Sequence, residues 1–101
     1  MTSAHLQVPA QSIAEFCMRW KIVEFALFGS VLRDDFGSGS DVDVVVTFEP
    51  GERWSLLDLT NMREQLSGLF GRPVDLVEEA ALRNPYRRAA IHRSKQVVYA
   101  A

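Results

Sequence analysis

The spacing of apolar positions switches along the chain between the period of a helix and that of a strand, and each switch predicts an element. Ile13, Phe16, Cys17 and Trp20 recur three and four residues apart, which predicts a helix over residues 9–19 with one buried face and with Pro9 in its first turn. Residues 22–28 are β-branched and aromatic. Val23, Phe25 and Leu27 alternate with Ile22, Ala26 and Phe28, so the run reads as a central strand covered on both faces, with Glu24 as its exposed exception. Gly29 ends it, and Ser30 is placed to cap a short helix through Val31, Leu32 and Arg33. Residues 34–40 contain turn formers without apolar periodicity and predict a loop.

Residues 41–48 open on two acids and continue almost wholly as valine, predicting a second central strand that a Glu-Pro-Gly-Glu turn closes. Leu56, Leu57, Leu59, Met62, Leu66, Leu69 and Phe70 then predict a long amphipathic helix over residues 54–70, with Gly71 as terminator. Residues 72–77 predict a short third strand interrupted by Asp75. A short helical turn follows over residues 78–82, then a helix opening at Asn84-Pro85 and running through Tyr86, Ala89, Ala90 and Ile91, and a last strand over residues 96–99. The alternation gives an α/β (α+β) fold, a small mixed β-sheet of about four strands packed against helices.

Composition narrows the class. A chain of 101 residues, 48% hydrophobic and 24% charged, suits one globular domain over residues 1–101, without a second substrate lobe. A net charge of -2 argues against direct nucleic-acid binding. The charge is uneven, though. From Arg83 onward the chain carries Arg83, Arg87, Arg88, Arg93 and Lys95 and no acid, which suits a phosphate-bearing ligand or an acidic partner surface as well as plain solvated helix faces. Cys17 stands alone in an apolar pattern and reads as a buried thiol. The first residues lack the basic start and apolar block of a secretory signal and no segment reaches membrane-spanning length, so a reducing, cytoplasmic setting is expected.

The candidate chemistry lies in Gly29-Ser30, Asp41, Asp43 and Asp75. Side chains two apart on a strand share a face with Cα atoms about 6.6 Å apart, so Asp41 and Asp43 can reach one ion or ion pair, with Val42, Val44 and Val46 facing the other way. Two like charges at about 4 Å repel by roughly 4 kcal/mol at an effective dielectric of 20, a penalty that a divalent cation reverses. Asp75, in an otherwise apolar strand, is costly unless something binds it. Three such carboxylates can hold two magnesium ions about 3.5–4 Å apart, the arrangement for in-line displacement at phosphorus. Asp43 would bridge both ions, and Asp75 would bind the one beside the nucleophile and take its proton. Gly29 lets the backbone approach a phosphate closely, and Ser30 offers its hydroxyl.

Phe28-Gly29-Ser30, Asp41-Val42-Asp43 and Val74-Asp75-Leu76-Val77 together resemble the nucleotidyltransferase superfamily that includes polymerase beta and kanamycin nucleotidyltransferase. The short length and the run from Asn84-Pro85-Tyr86 to Val97-Val98-Tyr99-Ala100 are similar to the minimal nucleotidyltransferase (MNT) antitoxins paired with HEPN-domain ribonuclease toxins. The resemblance implies a nucleotidyltransferase fold and transfer of AMP from ATP, the substrate, to a tyrosine hydroxyl of a partner HEPN toxin, with release of pyrophosphate. It implies Asp41, Asp43 and Asp75 as catalytic metal ligands for two Mg2+ ions, and Gly29, Ser30, Arg33 and Ser40 as nucleotide-binding residues. The sequence departs from the family at Gly37-Ser38-Gly39, where related chains often carry a proline and an acid, and a looser loop is expected there.

Plainer readings stand beside these. Asp34 and Asp35 read as loop and helix-end residues, His5 and His92 as surface or structural groups, and Trp20, Trp54 and Tyr86 as core or interface side chains. A non-catalytic antitoxin that neutralises its partner by complex formation is the alternative function. Whether the chain forms a homo- or hetero-oligomer is left open.

Overall fold

The computed structural model describes residues 8–32 and 40–101. Helix α1 (Ala10–Arg19) buries Ile13, Phe16 and Cys17, with Pro9 as its N-cap residue rather than inside the first turn. Strand β1 (Ile22–Phe28) follows at once, after Lys21 turns the chain at φ 58°. A 3-10 turn (Gly29–Leu32) leaves β1, and β2 (Val42–Phe48) returns antiparallel to it.

Helix α2 (Leu56–Phe70) starts two residues later than its periodicity suggests, because capping chemistry decides the start. Ser55 accepts the Asp58 N–H at 3.1 Å, and Asp58 accepts the Ser55 N–H at 3.0 Å. Trp54 is thereby left outside the helix, edge-on to Trp20 at 5.1 Å and to Phe48 at 6.3 Å. Gly71, at φ 69°, ends α2 in the left-handed conformation. Strand β3 (Val74–Glu78) lies parallel to β2, a short 3-10 turn (Glu79–Ala81) leaves it, and α3 (Pro85–Ser94) leads into β4 (Gln96–Ala100). Asn84 caps α3, its Oδ1 accepting the N–H groups of Tyr86 and Arg87 at 2.9 and 3.2 Å.

The mixed sheet has the order β3-β2-β1-β4. Its two faces are covered differently. On one, Val42, Val44 and Val46 join Phe25, Leu27, Ile13, Phe16, Met62 and Leu66 in the larger core, against α1 and α2. On the other, Ala26, Phe28 and Val45 meet Leu82 and Ile91 of the α3 segment, with Val77 packed alongside. Ile22 departs from the expected alternation. A bulge between Ile22 and Glu24 turns Ile22 into the larger core instead of setting it with Ala26 and Phe28. Glu24 is half-buried and paired with Lys95 rather than exposed. Cys17 is buried as expected, and its desolvation pushes the thiol pKa up to about 12. No helix among the described residues is long and apolar enough to cross a membrane.

Candidate active site

The acids are placed by strand order. Because β2 and β3 are parallel neighbours, Asp43 and Asp75 stand directly opposite each other in register, on the face that carries Val45 and Val77. Parallel neighbours are about 4.8 Å apart, so the two carboxyl groups rise side by side. Asp41 lies one residue before β2 and is exposed; its strand was expected to include it, but the ladder starts at Val42, whose N–H donates to Pro73 O at 2.9 Å. On its other side Asp43 pairs with Phe28, which delivers Gly29 and Ser30 against it.

Gly29 is required twice over. Its φ is 70°, a conformation other residues adopt only with strain, and a Cβ there would fall inside contact with Asp43 Oδ2 and 3.2 Å from Asp43 Cγ. Ser30 uses both its donors here: its N–H donates to Asp43 Oδ2 at 3.3 Å, and its hydroxyl donates to the Asp41 backbone carbonyl at 3.1 Å. The expected capping role of Ser30 is therefore replaced by a clamp that ties the turn after β1 to the start of β2. Ser40 precedes Asp41 and is half-buried. Arg33, together with Asp34, Asp35 and the Gly37-Ser38-Gly39 stretch, lies outside the described residues, as does His5.

Electrostatics set the resting state of this cluster. Partial burial raises the Asp43 pKa above its ordinary value, the Ser30 N–H opposes that, and the charges of Asp75 and Asp41 raise it further. Among the described residues no group of three His, Cys, Asp or Glu side chains is arranged to hold a metal ion. The chemistry of the three acids nonetheless fits magnesium. All are hard oxygen donors, and the unfavourable charge on Asp43 is what a cation relieves. On the same face, His92 joins Arg88 around Glu79 and has the structural role expected of it, with Glu79 Oε1 3.0 Å from His92 Nε2 and 2.8 Å from Arg88 Nη2. Burial would raise the Glu79 pKa, but His92 and Arg88 outweigh it and the net shift is downward.

A mixed four-stranded sheet with adjacent acids beside a tight glycine turn is the framework of an enzyme that acts at phosphorus. The family model of the nucleotidyltransferase domain matches residues 10–98, and the chain belongs to that family. It is 36% identical over 81 residues to the protein adenylyltransferase MntA of Thermococcus cleftensis, covering 80% of this chain and 77% of MntA. A solved structure of a candidate minimal nucleotidyltransferase superposes with a TM-score of 0.70 at 34% identity, over 86% of each chain. A complex of tri-AMPylated Shewanella oneidensis HEPN toxin with MNT antitoxin contains a chain that matches at TM-score 0.65 and 16% identity, over 91% of this chain and 70% of that one, a likeness of fold.

Proposed function

We propose that residues 1–101 act as one minimal nucleotidyltransferase domain that transfers AMP from ATP to a tyrosine hydroxyl of a partner HEPN toxin, and so serve as the antitoxin in the cytoplasm. The observation that carries this reading is the register of Asp43 beside Asp75, closed on its other side by Gly29. The 36% identity to MntA and the AMPylated toxin found with MNT antitoxin supply the donor and the class of acceptor.

Asp41, Asp43 and Asp75 would hold two magnesium ions, which supply charge neutralisation for the departing pyrophosphate and acidify the attacking hydroxyl. The residues do the rest. Gly29 leaves room for the Asp43 carboxylate beside the turn, and Gly29, Ser30, Arg33 and Ser40 would contact the nucleotide's phosphates. Asp75, exposed at the rim, takes the proton of the tyrosine hydroxyl. That oxygen bonds to the α-phosphorus, the bond from the α-phosphorus to the bridging oxygen breaks, and pyrophosphate leaves with the electron pair. Ser30 keeps Asp43 and the start of β2 aligned throughout.

The test is transfer of label from ATP labelled at the α-phosphate to the partner toxin in the presence of magnesium. Labelling that Asp43→Asn or chelation abolishes, with complex formation intact, supports the enzyme. Neutralisation of the toxin without label on it, from any nucleoside triphosphate, supports the non-catalytic antitoxin instead.

A further inference from the structure

Helix α3 carries most of the basic tail, and the fold sorts its charges by direction. Ile91 is its one buried side chain, seated against Ala26, Phe28 and Val45, so Ile91 marks the line along which α3 faces the sheet. Successive residues turn by about 100°, which sets Arg88 and His92 on one flank and Arg87 and Ala90 on the other. The first flank is located independently. Arg88 and His92 both bind Glu79, which follows Glu78, and Glu78 pairs with Val46 at the end of the sheet remote from Asp43 and Asp75. The opposite flank, with Arg87, therefore faces the end where the acids stand. Across the sheet, the chain reaches α3 from β3 by way of a turn packed on β2 and leaves it into β4, whose Gln96 pairs with Leu27 of β1, so Arg87, a turn before Ile91, lies on the side of β2 and β3.

Arg83, also exposed, precedes the Asn84 cap and lies outside the helix, and three other cations of the tail have different outlets. Arg88 is held by Glu79 and Lys95 by Glu24, while Arg93, two positions past Ile91, turns away from the sheet. Arg87 is exposed and makes no ion pair among the described residues. Its backbone N–H is fixed by the Asn84 cap, so the stem starts from a defined point. A guanidinium on the acid-facing flank, left unpaired although three carboxylates lie at that end, supplies the positive charge that an incoming polyanion needs and the acids lack.

We propose that Arg87 is a substrate-binding residue that holds the phosphates of the nucleotide against the acidic centre. This rests on the nucleotidyltransferase reading and adds to it a residue from the other side of the cleft.

The test compares wild type, Arg87→Ala, Arg87→Lys and Arg93→Ala by equilibrium binding of magnesium-ATP, inorganic tripolyphosphate and adenosine at two salt concentrations, with a thermal melt of each variant. Loss of one charge-assisted contact predicts about tenfold weaker binding of ATP and tripolyphosphate by Arg87→Ala, partial rescue by Arg87→Lys and a shallower salt dependence. Adenosine binding and melting temperature should stay unchanged, and Arg93→Ala should bind like wild type. Binding of ATP by Arg87→Ala within twofold of wild type overturns the assignment, as does an equal loss in Arg93→Ala. If the wild-type protein binds neither ATP nor tripolyphosphate, the nucleotidyltransferase reading falls and takes Arg87 with it.

Discussion

The two faces of one strand, β2, divide the work of the molecule. Val42, Val44 and Val46 point into an apolar core with Phe25, Leu27, Met62 and Leu66, and this face stabilises the fold. Asp43, one residue from Val42 and Val44, stands on the other face beside Asp75, half-buried and repelled by its neighbours. Alternation along a strand lets these demands coexist two atoms of backbone apart. The face that carries the chemistry is the more thinly covered one: α3 buries only Ile91, whereas α1 and α2 together bury Ile13, Phe16, Cys17, Met62 and Leu66.

Substitutions can break this division. The largest effect is expected for Asp43→Asn, which should lower AMP transfer on the order of a thousandfold in a labelling assay. The same change removes an unfavourable charge while keeping an acceptor for the Ser30 N–H, so the ligand-free protein should melt above wild type. A lower melting temperature would show that Asp43 supports the fold after all. On the other face Leu66→Ala should cost about 2–5 kcal/mol in urea unfolding, while transfer by the folded fraction persists.

Gly29→Ala joins the faces' separate requirements. The added Cβ displaces the Asp43 carboxylate and strains the turn, so about 1–2 kcal/mol of stability should be lost together with most activity. Retention of activity would mean that the turn can move away from Asp43. The smallest effect concerns Glu79. Its pKa is lowered by folding, so its ion pairs stabilise above the ordinary carboxylate pKa and lose their effect as pH falls through the lowered value. Glu79→Gln should therefore melt below wild type at neutral pH, by at most about 1 kcal/mol for such half-exposed partners, and the gap should close as the pH falls through that lowered value. A gap that persists in acid would point to packing rather than charge.

Much of this arrangement is already written in local chemistry. The valine run of β2, the repeat of α2 with Gly71 behind it, and Asn84-Pro85 ahead of α3 each act over a few residues, so a linear chain displays them. Gly29-Ser30 and Asp43 are legible as candidates for the same reason, since a turn and an acid in an alternating run are short-range features, while Asp41 falls just before the ladder begins. The side taken by Ile22 is not legible because a bulge depends on the partner strand, nor are the partners of Ser30, whose donors reach the Asp43 carboxylate and the Asp41 carbonyl across the turn.

Residue type and spacing alone determined which side chains alternate, where helices stop and which acids are available, because steric and hydrogen-bonding preferences act between near neighbours. Only the tertiary structure decided that Asp75 stands next to Asp43 and that Arg88 turns to Glu79 while Arg87 stays unpaired among the described residues. Both outcomes depend on strand order and on the single anchor of Ile91, and these follow from burying apolar surface between segments far apart along the chain, a balance that no short stretch contains.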